Sequence, residues 1–281
     1  MENNKKKMTI ELIISIISII IGIGLALGAY FMNYGKNPFS KGEPIIYVLY
    51  TFGALLILCG SLFLIRVIQE FRGLDRKLSV REMTLIAFQS AITILLYYFA
   101  KFNLPIFPGW LDIQVSEIPA VITSFIYGPG AGAIVIFIRF LLKLPGTMTV
   151  GIGEFADLVL GLILVIFAGA VYKKHRTLKG AIVGMSLGII CATIVACVLN
   201  YLVLMPAYIN IAGFKMSTLL KMMPEINGLN ESNFMVYYIF VGVLPFNLFR
   251  YIIVFIITFV LYKQIHKLFD VISGRGKRKL S

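Results

Sequence analysis

Charge is what this sequence most lacks. Only 14% of its 281 residues are Asp, Glu, Lys or Arg, while 59% are hydrophobic. Soluble domains carry about 25% charged residues, so a soluble globular chain is excluded. Several uninterrupted apolar stretches of roughly 20 residues point to a multi-helix membrane protein instead. Cysteine and histidine are scarce too. Cys59, Cys191 and Cys197 all lie in apolar segments, with no Cys-x-x-Cys pair and no Cys/His cluster. Neither a zinc site nor a disulfide framework is supported. His175 and His266 stand in basic loops, without the partners that catalysis by histidine needs. No Gly-x-x-x-x-Gly-Lys-Ser/Thr loop is present, so the chain has no phosphate cradle of its own. The net charge of +13 comes without any nucleic-acid-binding motif. Its reading is loop Lys and Arg that set membrane orientation. Neither a nucleic-acid partner nor a cofactor is expected.

What is present is an all-α pattern. Eight hydrophobic segments run at 9–33, 45–67, 83–100, 115–127, 130–143, 152–172, 179–207 and 236–262. The fourth and fifth are short, and Gly128-Pro129-Gly130 between them marks a tight turn. They read as tilted or partly re-entrant helices. The first segment follows Lys5-Lys6-Lys7 like a signal peptide, but its apolar run is too long and no small-residue cleavage site follows. It is expected to remain as a membrane helix. The polar stretch Gln69 to Lys77 divides the chain into an N-terminal transmembrane hairpin with its linker (1–77) and a six-helix remainder with a basic tail (78–281). With both ends and alternate loops on one side, that side holds 18 basic residues against 6. The bias predicts both termini in the cytoplasm.

In that topology the polar residues inside the apolar segments gather in the outer half. Gln114, Ser116 and Glu117 open the segment at 115–127. Arg139 lies four residues before Lys143, roughly 6 Å from the outer boundary at about 1.5 Å per residue. Glu154 and Asp157 begin the next helix and share a face. Asn200 lies near the outer end of the segment 179–207, and Asn247 is roughly 16 Å deep with Arg250 one turn deeper. Intramembrane charges are expensive, at least about 2.5–3.5 kcal/mol unpaired, and mark substrate paths by default. Arg139 and Arg250 are therefore expected to pair with Glu117, Glu154, Asp157 or a ligand. An outward-opening cavity lined by amides and a few charges fits capture of a small polar or amphipathic solute. A channel would carry polar lining on both sides of the midplane.

Plainer readings stand beside these. Acids at a helix N-terminus are favoured by the macrodipole alone, which covers Glu154 and Asp157. Asn200 could serve only to bond a neighbouring helix, and Arg139 could snorkel to the interface. Trp110 reads most simply as an interfacial anchor, although Phe102 to Trp110 could cap the cavity. Ala87 and Ala91, four apart, would let another helix approach closely.

Taken in order, six patterns resemble the riboflavin-binding type of S-component from energy-coupling-factor transporters. They are Ala87/Ala91, Leu111 to Pro119, Tyr127-Gly128-Pro129-Gly130-Ala131-Gly132, Gly153-Glu154, Asn200-Tyr201 with Pro206-Ala207-Tyr208, and Pro245-Phe246-Asn247. The resemblance covers about residues 80–265. It implies a non-enzymatic six-helix subunit in a prokaryotic plasma membrane that binds riboflavin or a related flavin from outside. It also implies a transmembrane coupling protein and two ATPase subunits as partners, with Ala87 and Ala91 on the docking face. Substrate contacts fall to Asn200, Asn247 and Arg250, with Glu154, Asp157, Gln114 and Glu117 around them. The chain departs from the family in three places. Arg250 stands where Lys is frequent, and a planar fork is not equivalent to an ammonium. Asp157 stands where Asn is common. The hairpin before residue 78 is extra to the six-helix core. Three other readings remain open: another vitamin or precursor as ligand, an intramembrane enzyme using Glu154 and Asp157, or a membrane protein that serves only as an interaction partner.

Overall fold

The computed structural model describes residues 2–33, 53, 56, 60, 79–144, 151–210 and 212–272. The basic linker at 68–78 and the tail from 273 onward lie outside them, as does most of the segment at 45–67. The chain divides into two compact units, Met1–Ser79 with Leu202–Phe214, and Val80–Tyr201 with Lys215–Ser281. In the first unit α1 (Glu2–Asn33) extends the first apolar segment into its lysine-rich start. Small residues let Leu56 and Gly60 approach it closely. Ser18 Oγ donates to the Leu56 carbonyl at 3.1 Å, and a Cβ on Gly60 would stand 3.0 Å from the Ser15 carbonyl.

The second unit begins with α2 (Val80–Phe99), followed by a two-stranded ribbon, β1 (Lys101–Phe102) with β2 (Ile113–Gln114). The strands pair antiparallel, Phe102 against Ile113. Two short helices follow, α3 (Ile118–Tyr127) and α4 (Pro129–Lys143). At about 1.5 Å per residue the ten residues of α3 span roughly 15 Å, half of a hydrocarbon core of about 30 Å. The shortness read from the sequence is therefore real. Gly128 turns between them with φ 98°, a conformation open to glycine at little cost. Next come α5 (Ile152–Lys174) and α6 (Leu178–Leu199), the latter capped by Thr177, whose Oγ accepts from the Gly180 amide at 3.1 Å. A wider π-helical turn, Asn200–Leu204, carries the chain into α7 (Met205–Asn210), which belongs to the first unit, before it returns to the second at Lys215. The short α8 (Met216–Met222) and α9 (Phe234–Tyr237) follow. A second π-helical turn, Tyr238–Val243, opens into α10 (Leu244–Ile272). Among the described residues, Val80–Phe99, Ile152–Lys174, Leu178–Asn210 and Phe234–Leu261 are long and apolar enough to cross a membrane. The ribbon, α8 and the two π-helical turns carry no apolar periodicity of their own, and the sequence reading did not anticipate them.

Packing in this unit follows membrane rules. On α6, Val183, Leu187, Ile190, Ile194 and Val198 are exposed, as lipid-facing residues should be. The opposite face holds Ala181, Gly184, Gly188, Ala192 and Ala196, and α6 lies along α5 on that side. Without a hydrophobic drive between helices in lipid, close backbone approach supplies the attraction, and small residues permit it. A Cβ on Gly184 would stand 2.8 Å from the Ala168 carbonyl, and one on Gly188 3.0 Å from that of Leu164. One on Gly169 would overlap Ser124 Oγ, which donates to the Val165 carbonyl at 2.7 Å and ties α3 to α5. Gly184→Leu should therefore destabilise the unit by about 1–3 kcal/mol or more through overpacking. The thermal midpoint of the detergent-purified variant measures this, and an unchanged midpoint would contradict so close a helix pair.

Candidate substrate site

The charged residues meet at one end of the second unit. β2 ends at Gln114, and the chain enters α3 through Ser116 and Glu117. Glu117 occupies the N-cap position but makes no side-chain cap bond. Its carboxylate turns to two arginines instead. Oε1 accepts from Arg139 Nη1 of α4 at 2.9 Å and also from Arg250 Nη2 of α10. Asp157 of α5 is the second node. Its Oδ2 accepts from Lys143 Nζ at 2.5 Å and Gln114 Nε2 at 2.8 Å, and its Oδ1 from Arg250 Nη1 at 3.1 Å. Arg139 also donates to Ser116 Oγ at 2.8 Å and to the Asp157 carbonyl at 3.0 Å. Ser116 in turn donates to Gln114 Oε1 at 3.2 Å.

Most of this network is buried, with the Asp157 side chain 16% exposed. Glu117 is 0% exposed, Arg139 1% and Arg250 4%. Arg139 is therefore held inside rather than snorkelling, and both arginines have carboxylate partners, as their cost in lipid requires. Space for the Arg139 guanidinium comes from Gly161, where a Cβ would stand 3.1 Å from Nη2. Two members were missed from the sequence. Lys143 reads there as a lysine beyond the helix end, yet it is 3% exposed, with its ammonium 3.9 Å from the Tyr97 ring centroid. Its spacing of four from Arg139 was the available signal, since it puts both on one helix face. Gly161, one turn after Asp157, gave no signal in isolation.

Four of the expected site residues, Gln114, Glu117, Asp157 and Arg250, are thus joined directly. Glu154 is buried in the first turn of α5. The two asparagines make a different set of bonds. Asn247 Nδ2 donates to the Val243 carbonyl at 2.8 Å, one turn back in its own helix. Asn200 Nδ2 donates to the Ala196 carbonyl at 2.8 Å, while its Oδ1 accepts from Tyr238 at 2.6 Å. Over this end folds the loop between β1 and β2. Phe107 is buried against Phe246 and Phe249, with ring centroids 5.4 and 5.9 Å apart. Leu104 and Leu111 complete that cluster, whereas Phe102 and Ile106 point outward. Trp110 lies 5.5 Å from the Tyr238 ring. Ala87 and Ala91 are exposed on one face of α2.

Removing one partner of a buried ion pair strands the other, at about 3–5 kcal/mol. Glu117→Gln should lower stability by about that amount, because two guanidiniums lose a shared anion. Denaturation of the purified variant tests it, and a loss below about 1 kcal/mol, the scale of an exposed pair, would overturn the network's role.

Residues 81–262 match the family model described as "ECF transporter, substrate-specific component". The riboflavin transporter RibU of Staphylococcus aureus (strain TCH60) is 32% identical over 193 residues, covering 68% of this chain and 94% of that protein. The riboflavin transporter FmnP of Bacillus subtilis (strain 168) is 32% identical over 134 residues, 47% of this chain and 70% of its own length. A solved structure described as "Structure and mechanism of the S component of a bacterial ECF transporter" aligns with TM-score 0.52 and 30% identity. It covers 67% of this chain and 96% of that one. The chain belongs to the substrate-specific components of ECF transporters: a multi-pass plasma-membrane protein that binds a small molecule for transport, and not an enzyme.

Proposed function

We propose that this chain captures riboflavin, or a closely related flavin, from the extracellular side. The observation that carries the reading is its likeness to a riboflavin transporter across nearly that protein's whole length. A flavin has an apolar ring, a polar edge and a hydroxylated tail. Asn200 and Asn247 supply neutral hydrogen-bonding groups at the end of the unit that Phe107, Trp110 and Phe246 cover. Arg250, with Gln114, Glu117, Asp157 and Glu154, forms the polar floor beneath them. Arg250 has both terminal nitrogens on carboxylates, so its part is to hold that floor and to present what donor capacity remains.

Import would be driven by a transmembrane coupling protein and two ATPase subunits, with Ala87 and Ala91 on the docking face. The basic loop bias supports both termini in the cytoplasm. Residues 1–77 form an appended transmembrane hairpin and linker, and 78–281 the substrate-binding core with its basic tail.

Absorbance and mass spectra of small molecules released by denaturing the purified protein test the ligand. Stoichiometric flavin is expected, and Asn247→Ala should weaken riboflavin binding about 10-fold, the scale of one buried hydrogen bond left unmade. A different released vitamin, with no binding of added riboflavin, would overturn the flavin assignment. Ala87→Leu with Ala91→Leu should leave binding intact and abolish uptake by cells. Normal uptake would remove those residues from the docking face.

A further inference from the structure

Tyr238 belongs to none of the charged interactions, yet it is 0% exposed and carries a hydroxyl. Such a group needs a partner, and here the partner is Asn200 Oδ1 at 2.6 Å. The pairing joins two helices at corresponding irregularities. Asn200 is the first residue of one π-helical turn and Tyr238 the first of the other. Such turns insert an extra residue into the helical ladder and concentrate at functional sites.

The two bonds of Asn200 also fix which way its amide faces. Oδ1 accepts from Tyr238, and Nδ2 donates to the Ala196 carbonyl. Reversed, the amide would set oxygen against that carbonyl, so the Ala196 carbonyl fixes the sense of the amide while the Tyr238 hydroxyl, able to donate or accept, holds its position. One N–H and one lone pair remain for a ligand, pointing in a set direction. The Tyr238 ring is itself clamped. It stacks on Phe234 at 5.6 Å and 7°, and Trp110 of the outer loop lies 5.5 Å away. Gly242, one turn on, leaves room for Pro108 of that loop, since a Cβ there would stand 3.0 Å from the proline ring.

We propose that Tyr238 is a positioning residue for substrate binding: clamped by Phe234 and the outer loop, it orients the Asn200 amide toward the solute. The proposal rests on the flavin reading for its ligand. Tyr238→Phe keeps the ring and removes only the hydroxyl. The full-length protein is titrated with riboflavin, and the emission of Trp110, the single tryptophan of the chain, is recorded without ligand. Riboflavin affinity should fall about 3- to 10-fold, with the ligand-free emission unchanged. Added to Asn200→Ser, Tyr238→Phe should cause no further loss. Wild-type affinity in Tyr238→Phe would overturn the proposal. So would a shifted emission, which means the hydroxyl holds the packing, or an undiminished loss in the Asn200→Ser background, which means it acts without Asn200. Failure of the wild-type protein to bind riboflavin would remove the flavin reading and this proposal together. A wild-type protein that binds beside an equally competent Tyr238→Phe would remove the proposal alone.

Discussion

A buried network of three cations and two carboxylates sets the terms for everything at this end of the protein. Each ion alone in hydrocarbon would cost several kcal/mol. The chain offsets that cost by sharing: Glu117 serves two arginines, and Asp157 serves Lys143, Arg250 and the Gln114 amide. Because the partners come from several elements, Arg139 and Lys143 from α4, Asp157 from α5 and Arg250 from α10, the network fixes the junction of β2 and α3 to all three helices at once. Buried ion pairs are weak evidence of net stability, since apolar replacements pack as well or better. Their directional demands are stronger. Arg250 reaches Glu117 and Asp157 together only in one rotation of α10, and that rotation also turns Asn247 inward and leaves Ile252, Ile256 and Phe259 to the lipid.

Away from the network, the helices cohere for another reason. The contact of α5 with α6 uses Gly184 and Gly188 against backbone carbonyls, with almost no polar groups. The two devices divide the bundle lengthwise. Small residues give close approach along the spans, and charges give register at one end. Ser124 bridges the two regimes, as its hydroxyl is satisfied by the Val165 carbonyl in a place where glycine makes the room.

Much of this was legible in the sequence, and the reason differs by feature. Membrane helices announce themselves by length and hydrophobicity, so α1, α2, α5, α6 and α10 were found, with the ends of α2 and α5 within three residues and those of α1, α6 and α10 displaced by up to ten. That Arg139 and Arg250 would pair with acids followed from the cost of leaving them alone, but the sequence offered Glu117, Glu154, Asp157 or a ligand, and the fold selects Glu117 and Asp157. Lys143 escaped because a lysine at a helix end looks satisfied by water, and only the fold reveals that Asp157 and Tyr97 close over it. Tyr238 escaped because a tyrosine near a segment end reads as an interfacial anchor. The wide turn that places it against Asn200 leaves no mark in the pattern of apolar residues. The loop between β1 and β2 was half legible. Its prolines and aromatics suggested a cover, but not which rings turn inward: Phe107 is buried while Phe102 is exposed.

The separation of charged from neutral groups bears on what such a site can hold. Arg139, Lys143 and Arg250 spend their charge on Glu117 and Asp157, so the electrostatic needs of this region are largely met from within. A strongly charged solute would have to compete with those pairs, losing their geometry to gain its own. A neutral solute faces no such competition. It needs only hydrogen-bond partners that are already oriented, and an amide held at both ends, like that of Asn200, loses little freedom when it binds. Riboflavin is uncharged at neutral pH, and its ring is apolar apart from one edge. Under the proposed flavin reading, specificity would rest on the direction of a few neutral groups, with the ion pairs keeping the helices that carry those groups in place.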